Sequence, residues 1–349
     1  MTVRILVGDS RDVLRQMPNA SVHCCVTSPP YFGLRDYGVT GQMGLEQTPD
    51  EYVAGMVDLF REVRRVLRDD GTLWLNLGDS YANDGKWGGH TGGKHVSALH
   101  CSPIGRNKVY TGLKSKDLIG IPWRVAFALQ ADGWYLRQDI IWSKPNPMPE
   151  SVRDRCTKAH EYIFMLSKSP RYFYDAEAIK NPPSEALLQQ ICDGYDGVDT
   201  KDYRAAGAQS ASGTKARIIA NAREKIARIR GTPPRHAKYE SSDQSGLDDV
   251  ARGLGSNKRS VWTVSPKPFK GAHFATFPPD LIEPCVLAGC PAGGTVLDPF
   301  GGAGTTAMVA RQHGRDAVLI ELNPAYAKIA DDRLAGRPKT ALETWLVAA

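Results

Sequence analysis

Apolar residues along this chain recur in two rhythms. Short continuous blocks, "RILVGD" (4–9), "VHCCVT" (22–27), "TLWLNLGD" (72–79), "GTVLDPF" (294–300) and "RDAVLIEL" (315–322), have the length and β-branched content of buried strands. Between them lie stretches with helical spacing. "SRDVLRQMP" predicts a short helix opened by a Ser10 cap. A longer helix is predicted from Thr48 to Asp69, its stripe carried by Tyr52, Met56, Leu59, Val63 and Leu67 and its end set by Asp69-Asp70-Gly71. "IPWRVAFALQADG", "TTAMVARQHG" and "NPAYAKIADDRLAG" predict further helices. "WYLRQDIIWSK" and "HEYIFMLSKSPRYFY" read as two adjacent antiparallel strands. Strand–helix–strand alternation predicts an α/β fold, a doubly wound, mostly parallel sheet with helices on both faces.

Two stretches break the rhythm. Residues 80–116 are rich in Gly, His, Lys and Ser without periodicity, which predicts a mobile loop. Residues 181–260 are polar and basic, apart from "ARIIANAREKIARIR". There Ile218, Ala222, Ile226 and Ile229 form one stripe, and Arg217, Arg223, Lys225, Arg228 and Arg230 crowd the rest. This predicts a basic amphipathic helix within a smaller basic insertion. Three divisions follow: 1–180 and 261–349 as two parts of one domain, and 181–260 as the insertion.

Charge sharpens that division. The net charge of +6 is modest, but Lys201 to Ser260 holds 13 Lys and Arg against 6 Asp and Glu. The excess sits in one segment, as expected where a polyanion is met at one place. With 42% hydrophobic and 23% charged residues the composition is that of an ordinary globular protein. No apolar run approaches the ~18 residues of a membrane span, and "MTVRILVGDS" lacks a signal-peptide core. The seven cysteines form no C-x-x-C pair, so reduced thiols are expected.

Two stretches carry chemistry. In "LDPFGGAGTT" (297–306) a strand runs through Gly301, Gly302 and Gly304 into a helix, the geometry that grips a cofactor at the carboxyl edge of a doubly wound sheet. Glu321, ending the next strand, is placed to accept from a ribose diol. By itself this turn fits a dinucleotide equally well. In "CCVTSPPYFG" (24–33) two prolines end a strand with a rigid, extended corner that presents a hydroxyl and an aromatic ring.

Taken together, "VTSPPY", "DPFGGAGTT" and "IELNPAY", in that order, resemble the permuted beta group of exocyclic-amino DNA methyltransferases. The resemblance implies a circularly permuted methyltransferase fold that transfers a methyl group from S-adenosyl-L-methionine to cytosine N4 or adenine N6. It implies cofactor contacts from Asp298, Phe300, Gly302, Gly304, Thr305, Glu321 and Asn323. "VGDS" resembles the element that sets an acidic residue near the adenine (Asp9, Ser10). "AHFATFPPDLIEP" resembles the segment against the methionine end (Ala275, Thr276, Phe277). "WSKPNPMP" resembles a segment near the target-base pocket, where Lys144 and Asn146 would touch the base or its phosphate.

The resemblance also gives the corner its purpose. An exocyclic amine is a poor nucleophile because its lone pair is delocalised into the ring. Accepting its two hydrogens on the Ser28 hydroxyl and the Pro29 carbonyl favours a pyramidal nitrogen and stabilises the charge growing there. Pro29 and Pro30 fix those acceptors, and Tyr31 can stack on a base flipped from the duplex. Serine at residue 28 is typical of the cytosine-N4 enzymes, so N4 is expected and adenine N6 is the alternative. A non-catalytic nucleic-acid-binding protein of the same fold is a second alternative.

Ring-carbon chemistry would need a nucleophilic cysteine, and the Pro-Cys pair Pro284-Cys285 lies in an apolar helical stretch. His90, His95, His100 and Cys101 lack zinc-site spacing, so no metal is expected. The expected partner is double-stranded DNA, read partly by the 217–230 helix. The resemblance admits a homodimer and a cognate restriction endonuclease, and it places the chain in the cytoplasm of a bacterial or phage-infected cell.

Overall fold

The computed structural model describes residues 1–34, 37–82, 112–182, 255–266 and 277–336. By contacts the chain divides into two units, Met1–Asp175 with Ser260–Ala349, and Ala176–Arg259. In the second, the described residues form a single 3-10 turn, Glu177–Ile179, and an antiparallel bridge between Asn181 and Ser256.

The first unit runs β1 (Val3–Val7), α1 (Ser10–Gln16), β2 (Val22–Thr27), α2 (Pro49–Val66), β3 (Leu67–Leu77), α3 (Ile121–Ala131), β4 (Tyr135–Ser143) and β5 (His160–Ser167). It then continues with β6 (Val261–Thr263), α4 (Pro279–Gly289), β7 (Thr295–Asp298), α5 (Thr305–Gln312), β8 (Asp316–Glu321) and α6 (Pro324–Leu334). The strands form one sheet in the order β1-β8-β7-β2-β3-β5-β4-β6. From β1 to β3 every pairing is parallel, and β5 then runs antiparallel to both β3 and β4.

Alternation along β2 shows how the sheet is covered. Cys25 belongs to the core shared with α1, α2 and α3. Its neighbour Cys24 points the other way, toward α4, where Gly289 has no room for a β-carbon: one there would lie 2.8 Å from the Cys24 sulfur. The sheet is thus clad on two sides, and its central parallel strands β2, β7 and β8 are buried along most of their length, while the edge strand β1 is only partly covered.

Helix α2 shows why the local sequence folds as it does. Thr48 and Glu51 form a reciprocal capping box, Pro49 fills the first turn, and Tyr52, Met56, Leu59, Phe60, Val63 and Val66 are buried along one stripe. The helix stops at Val66, earlier than the predicted Asp69, because Leu67 already pairs with Val22 as the first residue of β3. Asp69 and Asp70 are therefore strand residues. Helix α1 also differs from expectation. Its cap is Asp9, whose carboxylate accepts from the Arg11 backbone, and Ser10 is the first helical residue.

The order of the strands places a crevice. The chain leaves β7 through α5 toward β8 on one side, and leaves β2 through α2 toward β3 on the other. Strands β7 and β2 are nevertheless neighbours, so the direction of winding reverses between their carboxyl ends. In open α/β sheets that switch point is where ligands bind.

Candidate active site

A cavity of about 690 Å³ opens at that switch point, in the range typical of ligand sites. Ser28, Pro29, Pro30 and Tyr31 line it from the end of β2, and Asp298, Phe300, Gly302 and Thr305 from the end of β7. Asp9, Ser10, Phe277, Glu321 and Asn323 also line it. Two sequence stretches some 270 residues apart thus face one space.

A buried carboxylate ties the two strand ends together. Asp298 is 2% exposed; it accepts from Thr27 Oγ1 at 2.7 Å, Thr306 Oγ1 at 2.6 Å and the Phe300 backbone at 3.0 Å. Burial raises its carboxyl above the usual range, and these three donors pull against that rise. The side chain frames the turn with both oxygens already occupied. Ser10 adds a second tie, its hydroxyl donating to the Pro299 carbonyl.

The glycine turn is built for close approach. Gly304 has φ +78°, a left-handed conformation, and a β-carbon there would lie 3.0 Å from Ala330. Beside it the Glu321 carboxylate accepts from Gly302 N at 2.8 Å and Asn323 N at 2.9 Å, one bond to each oxygen. Burial raises the Glu321 carboxyl as well. Asn323 caps α6 with its side chain, and Tyr326 and Tyr37, in edge contact at 6.4 Å, close the cavity's rim. Asp9 is held by Arg11, whose guanidinium donates to both carboxylate oxygens and keeps its carboxyl low.

At the β2 end the corner is anchored from beneath. Tyr52 of α2 donates its hydroxyl to the Pro30 carbonyl at 2.8 Å. Among the described residues none donates to the Pro29 carbonyl. The Tyr31 ring lies on Gly78, where a β-carbon would come within 2.5 Å of the ring edge. Its phenol donates to Glu161 Oε2 at 2.7 Å, and accepts from Asn76 Nδ2 at 2.9 Å and from the Ser28 hydroxyl at 3.3 Å. Burial, with the Glu161 charge adding to it, holds the Tyr31 phenol well above its usual range. Lys144 pairs with Glu161 Oε1 and sits 4.3 Å above the Trp142 ring.

Several expected residues are placed differently or fall elsewhere. Lys144 does line the cavity, but its ammonium is engaged within the chain. Asn146 is exposed on the turn after β4, outside the cavity lining. Ala275, Thr276, Arg217, Arg223, Lys225, Arg228, Arg230 and the His90–Cys101 stretch lie outside the described residues. Cys285 is buried on α4, away from the cavity. Among the described residues no cluster of three or more potential metal ligands occurs, and no helix is long and apolar enough to cross a membrane.

Asn76 and Glu161 were missed at the level of sequence. Each left a trace: Asn76 is the one polar residue in "LWLNL", and Glu161 heads the apolar run "YIFML". Asn76 is only 4% exposed, a buried polar group that needs partners.

A family model described as DNA methylase, of the N6/N4 methyltransferase type, matches residues 22–332. The type II methyltransferase M.Cfr9I of Citrobacter freundii is 43% identical over 329 residues, covering 94% of this chain and 86% of that protein. The type II methyltransferase M.SmaI of Serratia marcescens is 42% identical over 335 residues, covering 96% and 91%. Among solved structures, the cytosine-N4-specific PvuII DNA methyltransferase superposes with a TM-score of 0.56 at 16% identity, covering all of this chain and 90% of that one. A putative DNA modification methylase of Thermus thermophilus, in complex with S-adenosyl-L-methionine, gives 0.52 at 23% identity, covering 96% and 95%. The chain belongs to the N6/N4 family of DNA methylases.

Proposed function

We propose that this member of the DNA methylase family moves a methyl group from S-adenosyl-L-methionine to the exocyclic N4 of a cytosine flipped out of duplex DNA. The observation that carries this reading is the shared cavity: the Ser28–Tyr31 corner and the glycine turn with Glu321 face the same space.

The residues present fit that cofactor. Each Glu321 oxygen takes one backbone N–H and is open to one hydroxyl of a ribose diol. Such donation favours the ionised form that burial alone opposes. Phe300, Phe277 and Tyr326 supply apolar surface for an aromatic base. Bound there, the cofactor supplies an electrophilic methyl group on a sulfonium.

The chain's own work is positioning. The Pro-Pro backbone fixes Ser28 Oγ and the Pro29 carbonyl as acceptors for two amine hydrogens without further reorganisation. Tyr31, its ring against Gly78 and its phenol bonded to Glu161, lines the same cavity. The serine at residue 28 supports N4; pocket shape alone does not bar adenine.

The segment 181–260, with its concentrated positive charge, is the proposed target-recognition region, neutralising phosphates through Arg217, Arg223, Lys225, Arg228 and Arg230. A type II relationship, with a cognate endonuclease and a cytoplasmic site of action, fits the relatives and is part of this proposal.

DNA from cells expressing the chain, digested to nucleosides and weighed by mass spectrometry, tests the reading. N4-methylcytosine supports it. N6-methyladenine transfers it to the alternative base, and unmodified DNA overturns it.

A further inference from the structure

Four side chains beneath the corner form one connected line of hydrogen bonds, and its chemistry allows a single polarity. The Glu161 carboxylate can only accept. It takes Asn76 Nδ2 at 3.1 Å and the Tyr31 phenol at 2.7 Å on Oε2, while Lys144 holds Oε1. Having given its proton to Glu161, the Tyr31 oxygen can only accept from its other neighbours, Asn76 at 2.9 Å and the Ser28 hydroxyl at 3.3 Å. The Ser28 proton is thereby committed inward. The Asn76 amide nitrogen, its two hydrogens directed to Glu161 and Tyr31, also lies 3.3 Å from Ser28 Oγ. What Ser28 turns to the cavity is lone pair.

We infer that Glu161, acting through the Tyr31 phenol, fixes the Ser28 hydroxyl as an acceptor for the target amine and receives the proton that this amine gives up. The inference rests on the methyl-transfer reading above. Glu161 lines the cavity, and it is a positioning residue in this inference because it acts through Tyr31 and Ser28. The amine lone pair forms the new N–C bond while the electrons of the broken S–C bond stay on the departing sulfur. The nitrogen then holds one proton too many. That proton passes to Ser28 Oγ as the Ser28 proton passes to Tyr31 and the Tyr31 proton to Glu161 Oε2. A methylated neutral amine and a neutral carboxylic acid result, and the acid returns its proton to water before the next turnover. The high-lying phenol pKa keeps Tyr31 protonated at rest, as the line requires.

The groups facing Glu161 are Lys144 after β4, Lys158 before β5, and Tyr31 and Asn76 from the corner and β3. E161Q keeps the shape but introduces a donor, so Tyr31 can turn its proton to Ser28 and Ser28 can present its own to the amine. Tyr31→Phe breaks the line at its centre while keeping the ring.

The full-length protein, E161Q, Tyr31→Phe and the double variant are compared in single-turnover transfer from labelled cofactor to duplex DNA. Cofactor affinity is measured by calorimetry. Each single variant should lose about 10²-fold in the transfer rate, with affinities for cofactor and DNA held within about twofold of the full-length protein. The double variant should be no slower than the slower single one, because both cut one line. Infrared difference spectra of the ligand-free protein on acidification give a readout without turnover. A carboxyl band absent from E161Q should be present in the parent and displaced in Tyr31→Phe.

An E161Q rate equal to the parent's, additive losses in the double variant, or a loss confined to binding would each overturn the inference. So would a carboxyl band indifferent to Tyr31→Phe. If E161Q does not fold, the transfer rate of Tyr31→Phe, with its cofactor and DNA affinities, decides alone. A parent protein that transfers no methyl group to DNA defeats the underlying reading instead, so the two failures are distinguishable.

Discussion

Thr27 donates its hydroxyl to Asp298 across 2.7 Å, joining the ends of two neighbouring strands whose residues lie 271 positions apart. This bond closes the seam where the winding of the sheet reverses. Thr27→Val would leave a buried carboxylate oxygen short of a donor, at about 1–3 kcal/mol. Urea unfolding should show that loss as a lower midpoint at unchanged slope. It should also lift the already raised Asp298 carboxyl further, since the Thr27 bond is one of those holding it down. The folded state then binds its proton more readily than the unfolded chain. The stability deficit of the variant should therefore shrink as pH falls through the acid range. A variant as stable as its parent at neutral pH would show that the seam is held elsewhere.

Gly78 makes room for the Ser28–Tyr31 corner, the proposed holder of the target amine. Gly78→Ala places a β-carbon 2.5 Å from the Tyr31 ring, so the ring must shift at about 1–3 kcal/mol. Methyl transfer should fall at least tenfold, while calorimetry should find cofactor affinity within about twofold of the parent, because Gly78 is not part of the glycine turn. Equal losses of both would place the damage in the fold at large.

Glu321 should make cofactor binding sensitive to pH. Burial raises its carboxyl above the ordinary range, and a ligand that donates to the carboxylate prefers the ionised form. Affinity should therefore hold at neutral pH and fall on acidification through that raised pKa, by up to about tenfold per unit below it. Glu321→Gln should bind roughly tenfold to a hundredfold more weakly at neutral pH and lose the acid-side decline. Calorimetry across pH on both proteins checks this, and an identical decline in the variant would assign the titration to another group.

The parts of the site that the sequence made legible are local. The Pro-Pro corner and the glycine turn each lie within one continuous stretch at a strand end, where backbone chemistry leaves few alternatives. What escaped depends on strand pairing. Glu161 reaches Tyr31 because β5 runs antiparallel beside β3, setting Leu77 opposite Tyr162. No periodicity announces that register. Lys144 is named from the resemblance of "WSKPNPMP" to a segment near the target-base pocket; it lines the cavity, and its ion pair with Glu161, which depends on the pairing of β4 with β5, is not legible in that stretch. The ends of α1 and α2 shifted for a related reason: Asp9 outcompetes Ser10 as a cap, and β3 claims Leu67 before the acidic pair can end the helix.

The proposed function has the Ser28 corner and the glycine turn act on one reaction from neighbouring strand ends within one cavity. Ser28→Ala separates their contributions. With labelled S-adenosyl-L-methionine and duplex DNA, the variant should bind cofactor as the parent does while transfer falls about 10²-fold or more. Transfer at the parent's rate with cofactor binding intact would contradict the account.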